Sequence, residues 1–222
     1  MGPTDARSVV PAVVSVNVGR PREVQWHGRT VTTAIWKDPT DGPVTVGGVN
    51  LDGDDQADRR VHGGVDKAVY AYALEDYEWW SSTRGPILPG TFGDNLTTAG
   101  LVLDQCSIGD RWRVGSTVLE VTQPRTPCYK LALRMDDDGF TDTFQAAGRL
   151  GVYLRIIAEG AVQAGDAISV QPAVQPATRI ADLVAGDLDD DALRRVADDA
   201  RVPDGWRRAA SRAIRRSESA DS

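Results

Sequence analysis

The chain is short of the residues from which most metal and redox sites are built. Its 222 residues include two cysteines, Cys106 and Cys128, two histidines, His27 and His62, and three lysines, Lys37, Lys67 and Lys130. Two histidines exclude a three-His metal site. No HExxH, CxxC, P-loop GxxxxGK(S/T) or GxGxxG pattern occurs, which removes zinc hydrolases, P-loop enzymes and simple Rossmann dehydrogenases. Two cysteines are too few for a disulfide framework, so a reducing cytoplasm is the expected compartment. No apolar run nears the roughly 20 residues of a membrane span. The start MGPTDARSVV lacks the basic and long apolar regions of a secretion signal, so no membrane partner is expected. A net charge of -7 argues against a nucleic-acid partner, because a phosphate backbone favours a strongly basic surface.

What is present is turn-rich and strand-rich. Twenty-two glycines and twelve prolines break the chain into short β-like runs: VVSVNV (13–18), TVTTAIW (30–36), AVYAYAL (68–74), STVLEVTQ (116–123) and GVYLRIIAEG (151–160). Strands and turns at this density predict a mainly β fold, a β-barrel with short inserted helices over residues 9–172. The helices are expected over EDYEWWSST (75–83) and from Pro127 onward. After the uncharged, proline-bearing QPAVQPAT (171–178), the composition turns to Ala, Asp and Arg. A small α-helical C-terminal domain of three helices is expected over 178–218. In its middle helix Asp189 can cap, and Leu193, Val196, Ala197 and Ala200 form an apolar stripe. The last helix carries Arg207, Arg208, Arg212, Arg215 and Arg216. Residues 178–222 nevertheless hold ten acidic and nine basic side chains, so this is read as a solvated basic face rather than a DNA-reading helix.

Three segments carry chemistry. In QPRTPCYKLALRM (123–135), Thr126 can serve as N-cap and Pro127 as the first helical residue, which puts Cys128 in the first turn. Helix-end N–H groups, Arg125 and Lys130 would favour a thiolate there, able to attack or to bind a soft metal; a small buried hydrophobe is the alternative. Cys106, in LDQCSIGDRW, has no such setting and is read as packing. In RRVHGGVDKAVY (59–70), Gly63 and Gly64 allow close backbone approach to an anion and Lys67 adds a point charge. The loop PGTFGDNLTTAG (89–100) offers Asn95 and Thr97 for hydrogen bonding.

VHGGVDKAVY, GTFGDNLTT and TQPRTPCYKL, in this order and at this spacing, resemble the MOSC domain family, named for the C-terminal part of the molybdenum cofactor sulfurase. Within it the chain looks like the YiiM type, in which a small helical domain follows. Val65 stands where the family's HGG segment usually continues with Pro. The resemblance implies a β-barrel enzyme that holds the molybdenum cofactor (molybdopterin), with Cys128 as catalytic residue and metal ligand. Arg125 would stabilise the anionic site, and Arg59, His62, Gly63, Gly64, Lys67, Asn95 and Thr97 would contact cofactor or substrate. The family is also associated with pyridoxal phosphate binding. A molybdenum-dependent oxidoreductase acting on N-hydroxylated small molecules, such as 6-hydroxylaminopurine-like bases, follows from the resemblance. Two cysteines cannot hold a four-cysteine iron–sulfur cluster, so an external electron-donor reductase is the implied partner. The alternative is a sulfur or molybdenum cofactor carrier with a persulfide on the same cysteine. The sequence leaves open whether the protein forms a homodimer.

Overall fold

The computed structural model describes residues 10–55 and 63–220. Strands form over Ala12–Val18 (β1), Arg22–Trp26 (β2), Arg29–Thr33 (β3), Asp38–Pro39 (β4), Val44–Gly47 (β5), Asn50–Leu51 (β6), Val69–Ala73 (β7), Leu96–Ala99 (β8), Arg111–Val114 (β9), Thr117–Pro124 (β10), Val152–Ala158 (β11), Gly160–Val162 (β12) and Ile168–Gln171 (β13). Helices form over Leu74–Arg84 (α1), Tyr129–Met135 (α2), Phe140–Ala147 (α3), Ile180–Ala185 (α4), Asp190–Asp198 (α5) and Asp204–Ala220 (α6). The main sheet runs β13-β9-β10-β11-β7-β8-β1-β4, beside a small β12-β5-β6 sheet and a β2-β3 hairpin. Within the main sheet β7 and β8 pair in parallel and the other pairs are antiparallel.

The fold is therefore sheet-dominant with several helices, and the closed barrel expected from the strand density is not found among the described residues. β1 reaches the β13 end through one isolated bridge, Ala12 with Ala167. Three backbone hydrogen bonds flank the bridge, from Ile168 N–H to the Pro11 carbonyl at 2.7 Å, from Val13 N–H to the Asp166 carbonyl at 2.9 Å and from Gly165 N–H to the Val13 carbonyl at 2.8 Å. Pro11, opposite Ile168, has no N–H to continue the ladder. The strand expected over 30–36 also stops early, at Thr33. Its partner begins at Arg22, which pairs with Thr33, and Pro21 before it cannot donate.

β7 divides the interior. All five of its residues are buried, and successive side chains point to opposite faces. Val69, Ala71 and Ala73 join a large aliphatic cluster. Tyr70 and Tyr72 join an aromatic one with Tyr77, Trp80, Phe92, Phe140 and Phe144, under α1 and α3. The C-terminal helices add to the aliphatic cluster through Ile180, Leu183, Val196 and Ala210. Asp189 accepts the Ala192 N–H at 2.7 Å, and the Trp206 indole donates to Gln123 of β10 at 2.9 Å, tying α6 to the sheet. Ala200 lies beyond α5 and is exposed, so the stripe ends at Ala197.

Strand β11 enters the sheet through Gly151, at φ 66°. A Cβ there would stand 2.5 Å from the Ala71 carbonyl oxygen and 2.9 Å from both the Tyr70 and Tyr72 rings. Gly151→Ala is expected to cost about 2–4 kcal/mol, combining left-handed strain with overpacking. Gly186→Ala, also at positive φ but with open space around it, should cost about 1–2 kcal/mol. Urea denaturation of the two variants checks the difference; equal losses would contradict the packing at Gly151.

Candidate functional site

The loop ahead of β8 is fixed by a carboxylate without access to water. Asp94 is fully buried. It accepts the Tyr77 hydroxyl at 2.5 Å, the Thr97 hydroxyl at 2.6 Å and the Asn17 amide at 3.3 Å. Burial pushes the Asp94 carboxyl up, while Thr97 and Tyr77 pull it down, and burial wins. Asn95 pins the same loop between β1 and β7. Its N–H donates to the Tyr70 carbonyl and its carbonyl accepts the Asn17 N–H, both at 2.7 Å. Its side-chain oxygen accepts the Tyr70 N–H at 3.1 Å, and its amide donates to Asp54 at 2.9 Å. Glycine is required where this loop crosses the stretch after β3. At Gly90, φ 80°, a Cβ would lie 2.6 Å from the Lys37 carbonyl oxygen.

Above this loop opens a cavity, part of it continuous with solvent. Its walls bring together Lys67, Asn95, Arg125 and Cys128, from segments far apart in sequence, with Gly93, Tyr70 and Tyr153. All three lysines of the chain line it. Lys37 is clamped by Asp54, with Nζ 2.5 Å from each carboxylate oxygen, and Asp54 also accepts the Gly19 N–H at 2.8 Å. Burial lowers the Lys37 ammonium below its usual range even against the pull of Asp54. Lys67 is half-buried and is likewise lowered by burial, opposed by Cys128 and Asp66. Its Nζ lies 5.9 Å from the Tyr153 ring centre. Arg125 is buried, donates to the Phe92 carbonyl and lies 4.8 Å over the Tyr70 ring. Burial pulls Arg125 down, but Tyr70, Tyr153 and Cys128 outweigh it and hold the guanidinium above its ordinary value. Cys128 thus shares its charge environment with two cations.

The helix after Cys128 starts later than its sequence suggests. Cys128 is the N-cap, extended at φ -137° and ψ 169°, and α2 begins at Tyr129, so neither Thr126 nor Pro127 has the expected role. The first bond closes from Leu131 N–H to the Cys128 carbonyl at 2.8 Å, so the carbonyls of Thr126 and Pro127 stay outside the helix. Cys128 is partly exposed, and Cys106 is buried and pushed up to about 12, first by burial and then by Asp110 and Asp104.

The other sequence candidates divide into three groups. Arg59 and His62 lie outside the described residues. Gly63 and Gly64 are described but are absent from the cavity lining; Gly64, at φ 96°, leads into the single 3-10 turn Val65–Lys67 that presents Lys67. Thr97 is fully buried and bonded to Asp94, so it supports the loop from beneath rather than facing the cavity. The sequence reading missed Lys37, Asp54, Tyr70 and Tyr153. The scarcity of lysine was the one available signal, since each of the three serves this cavity.

A sheet-dominant body with a cysteine and basic groups at one cavity is the class of protein to which this chain belongs: it is a member of the MOSC domain family, whose model matches residues 58–169. It is 36% identical over 203 residues to YflK of Bacillus subtilis (strain 168), covering 88% of this chain and 91% of that protein. It is 32% identical over 193 residues to YiiM of Escherichia coli (strain K12), covering 84% and 86%. A protein of Gibberella moniliformis (strain M3125 / FGSC 7600) called a reductase is 32% identical over 163 residues, 71% of this chain but 29% of that much longer protein. The crystal structure of YiiM from Geobacillus stearothermophilus superposes with a TM-score of 0.75 at 28% identity, over 92% of this chain and 99% of that one.

Two measurements check the site's construction. Tyr77→Phe removes a donor from the Asp94 carboxylate, so it should destabilise by about 1–3 kcal/mol. The lost hydroxyl favoured the charged form, so its removal raises Asp94 further. The cost should be full above that raised value and shrink as the pH falls through it and the carboxyl takes up a proton. Urea titrations at mildly alkaline and mildly acidic pH read this, and a larger loss on the acidic side would refute it. In the native protein at neutral pH, iodoacetamide should modify Cys128 and spare Cys106, whose thiolate is scarce and enclosed; mass spectrometry after unfolding should then find both modified.

Proposed function

We propose that the chain is a molybdenum-cofactor-dependent reductase of N-hydroxylated compounds, with Cys128 as the protein ligand to the metal. The observation that carries this reading is the joining of one thiol with Lys37, Lys67, Lys130 and Arg125 at a single cavity of an otherwise acidic protein. Among the described residues no three metal-ligating side chains cluster, so a bare ion finds no chelating set here. A metal that arrives with its own anionic dithiolene and phosphate needs something different, a soft additional ligand and positive charge around it. The residues present fit that description. Membership of the MOSC family and the similarity to a reductase and to YiiM support it.

When bound, the molybdenum centre supplies two-electron oxygen-atom chemistry. The chain's own residues would do the rest. Cys128 would hold the metal at the cavity wall, and Lys67 would balance an anionic group of the cofactor. Arg125, held by the Phe92 carbonyl and the Tyr70 face, would keep a positive charge fixed behind the thiolate. The net reaction consumes R–NHOH, two electrons and two protons and releases R–NH2 and water. With two cysteines in the chain, the electrons would come from a separate reductase. Residues 9–172 are read as the body that carries this chemistry and 178–218 as the helical domain packed against it. No helix among the described residues is long and apolar enough to cross a membrane.

Protein made in a host that synthesises the cofactor should contain stoichiometric molybdenum by elemental analysis and reduce 6-hydroxylaminopurine with reduced methyl viologen. Cys128→Ala should lose both, while its stability changes by less than the roughly 2–5 kcal/mol of a core truncation. Full metal and activity in the variant would overturn the assignment. Labile sulfane sulfur on Cys128 without molybdenum would transfer the site to a sulfur carrier.

A further inference from the structure

A second depression opens beside the Cys128 cavity, between the β2-β3 hairpin and the start of α2. Trp26, His27 and Arg29 line it from the hairpin, and Tyr129 and Lys130 from the helix. Lys130 lines both hollows, and Cys128 and Tyr129, adjacent in the chain, line one each. Tyr129 is 52% exposed. Trp26 and His27 pack ring to ring at 4.3 Å, and the exposed His27 Nε2 lies 2.8 Å from the Asp138 carboxylate. No carboxylate lines the depression, and neither Arg29 nor Lys130 has an ion-pair partner among the described residues.

Exposed rings grip planar aromatic ligands, and uncompensated cations beside them select a negative group on the same molecule. We propose that this depression is a binding site for a planar heterocycle carrying a phosphate, stacked on Tyr129 and Trp26 with its phosphate held by Arg29 and Lys130. Resting on the reductase reading above, this makes the substrate class a nucleotide rather than a free base. The site gives the hairpin a function: it has no strand partner in the main sheet and forms a wall of the depression.

Adenosine monophosphate, which carries no N-hydroxyl group, probes the site by calorimetry independently of turnover. Full-length wild-type protein should bind it about tenfold more tightly than adenosine, with the margin shrinking as salt is added. Arg29→Gln should abolish most of that margin while leaving adenosine binding unchanged. Tyr129→Ala should weaken both ligands by about tenfold, and Arg216→Gln, on α6, should weaken neither. Equal affinity for the two ligands, or a margin that survives Arg29→Gln, overturns the proposal. A protein that shows this pattern but contains no molybdenum keeps the nucleotide site and loses the reductase reading. One that holds molybdenum and reduces free bases without any preference for nucleotides does the reverse.

Discussion

A carboxylate sealed from water must find its whole hydrogen-bonding shell in the protein, and Asp94 imposes that demand on the centre of this fold. Satisfying it takes the Tyr77 hydroxyl from α1, Thr97 from β8 and Asn17 from β1. Three elements are thereby held in one arrangement, since leaving any donor out would expose a buried charge without compensation. The neighbouring Asn95 passes the constraint outward, bonding to β1 and β7 through its backbone and to Asp54 through its amide. Asp54 in turn holds Lys37. The cavity floor is thus connected to the buried network by an unbroken series of hydrogen bonds.

This network explains how a loop-built site can be rigid. Cys128 follows β10 by a few residues and its carbonyl starts α2, while Arg125 reaches across to the Phe92 carbonyl of the opposite loop. Phe92 itself is stacked on Tyr77 at 4.9 Å, inside the aromatic cluster. A shift of the loop would therefore disturb packing and hydrogen bonds together. Such support is what a ligand to a metal requires, because an additional ligand misplaced by an ångström no longer reaches its partner.

Charge distribution carries the functional argument further than motif matching does. The protein is acidic overall, at -7, yet its cavity collects every lysine and a buried arginine. Positive groups confined to a concave, partly desolvated surface attract anionic ligands more strongly than the same groups spread over a convex one. Burial depresses both Lys37 and Lys67; Lys37 is already countered by Asp54, while Lys67 gains from an anion that restores its preference for the charged form. Membership of the MOSC family gives that anion a candidate.

Local patterns in the sequence were enough for the strands at 13–18, 68–74, 116–123 and 151–160, for the helix over α1, for the Asp189 cap and for the three motifs of the family. Each of these rests on interactions between residues close in sequence, or on a spacing that short-range chemistry can read. The residues 123–135 also marked Cys128, although the helix starts after it, at Tyr129, and not at Pro127. Tertiary structure alone decided that β1 and β13 meet by one bridge and not by a ladder, because closure depends on which residue the register sets opposite, here Pro11 against Ile168. It alone turned Thr97 inward to Asp94 and recruited Lys37, Asp54, Tyr70 and Tyr153 to the cavity. Thr97 meets Asp94 three positions away, but Lys37 and Asp54 are joined across 17 positions, Asp54 and Asn95 across 41, and Asn17 and Thr97 across 80, and no periodicity encodes which distant donor will satisfy a buried charge.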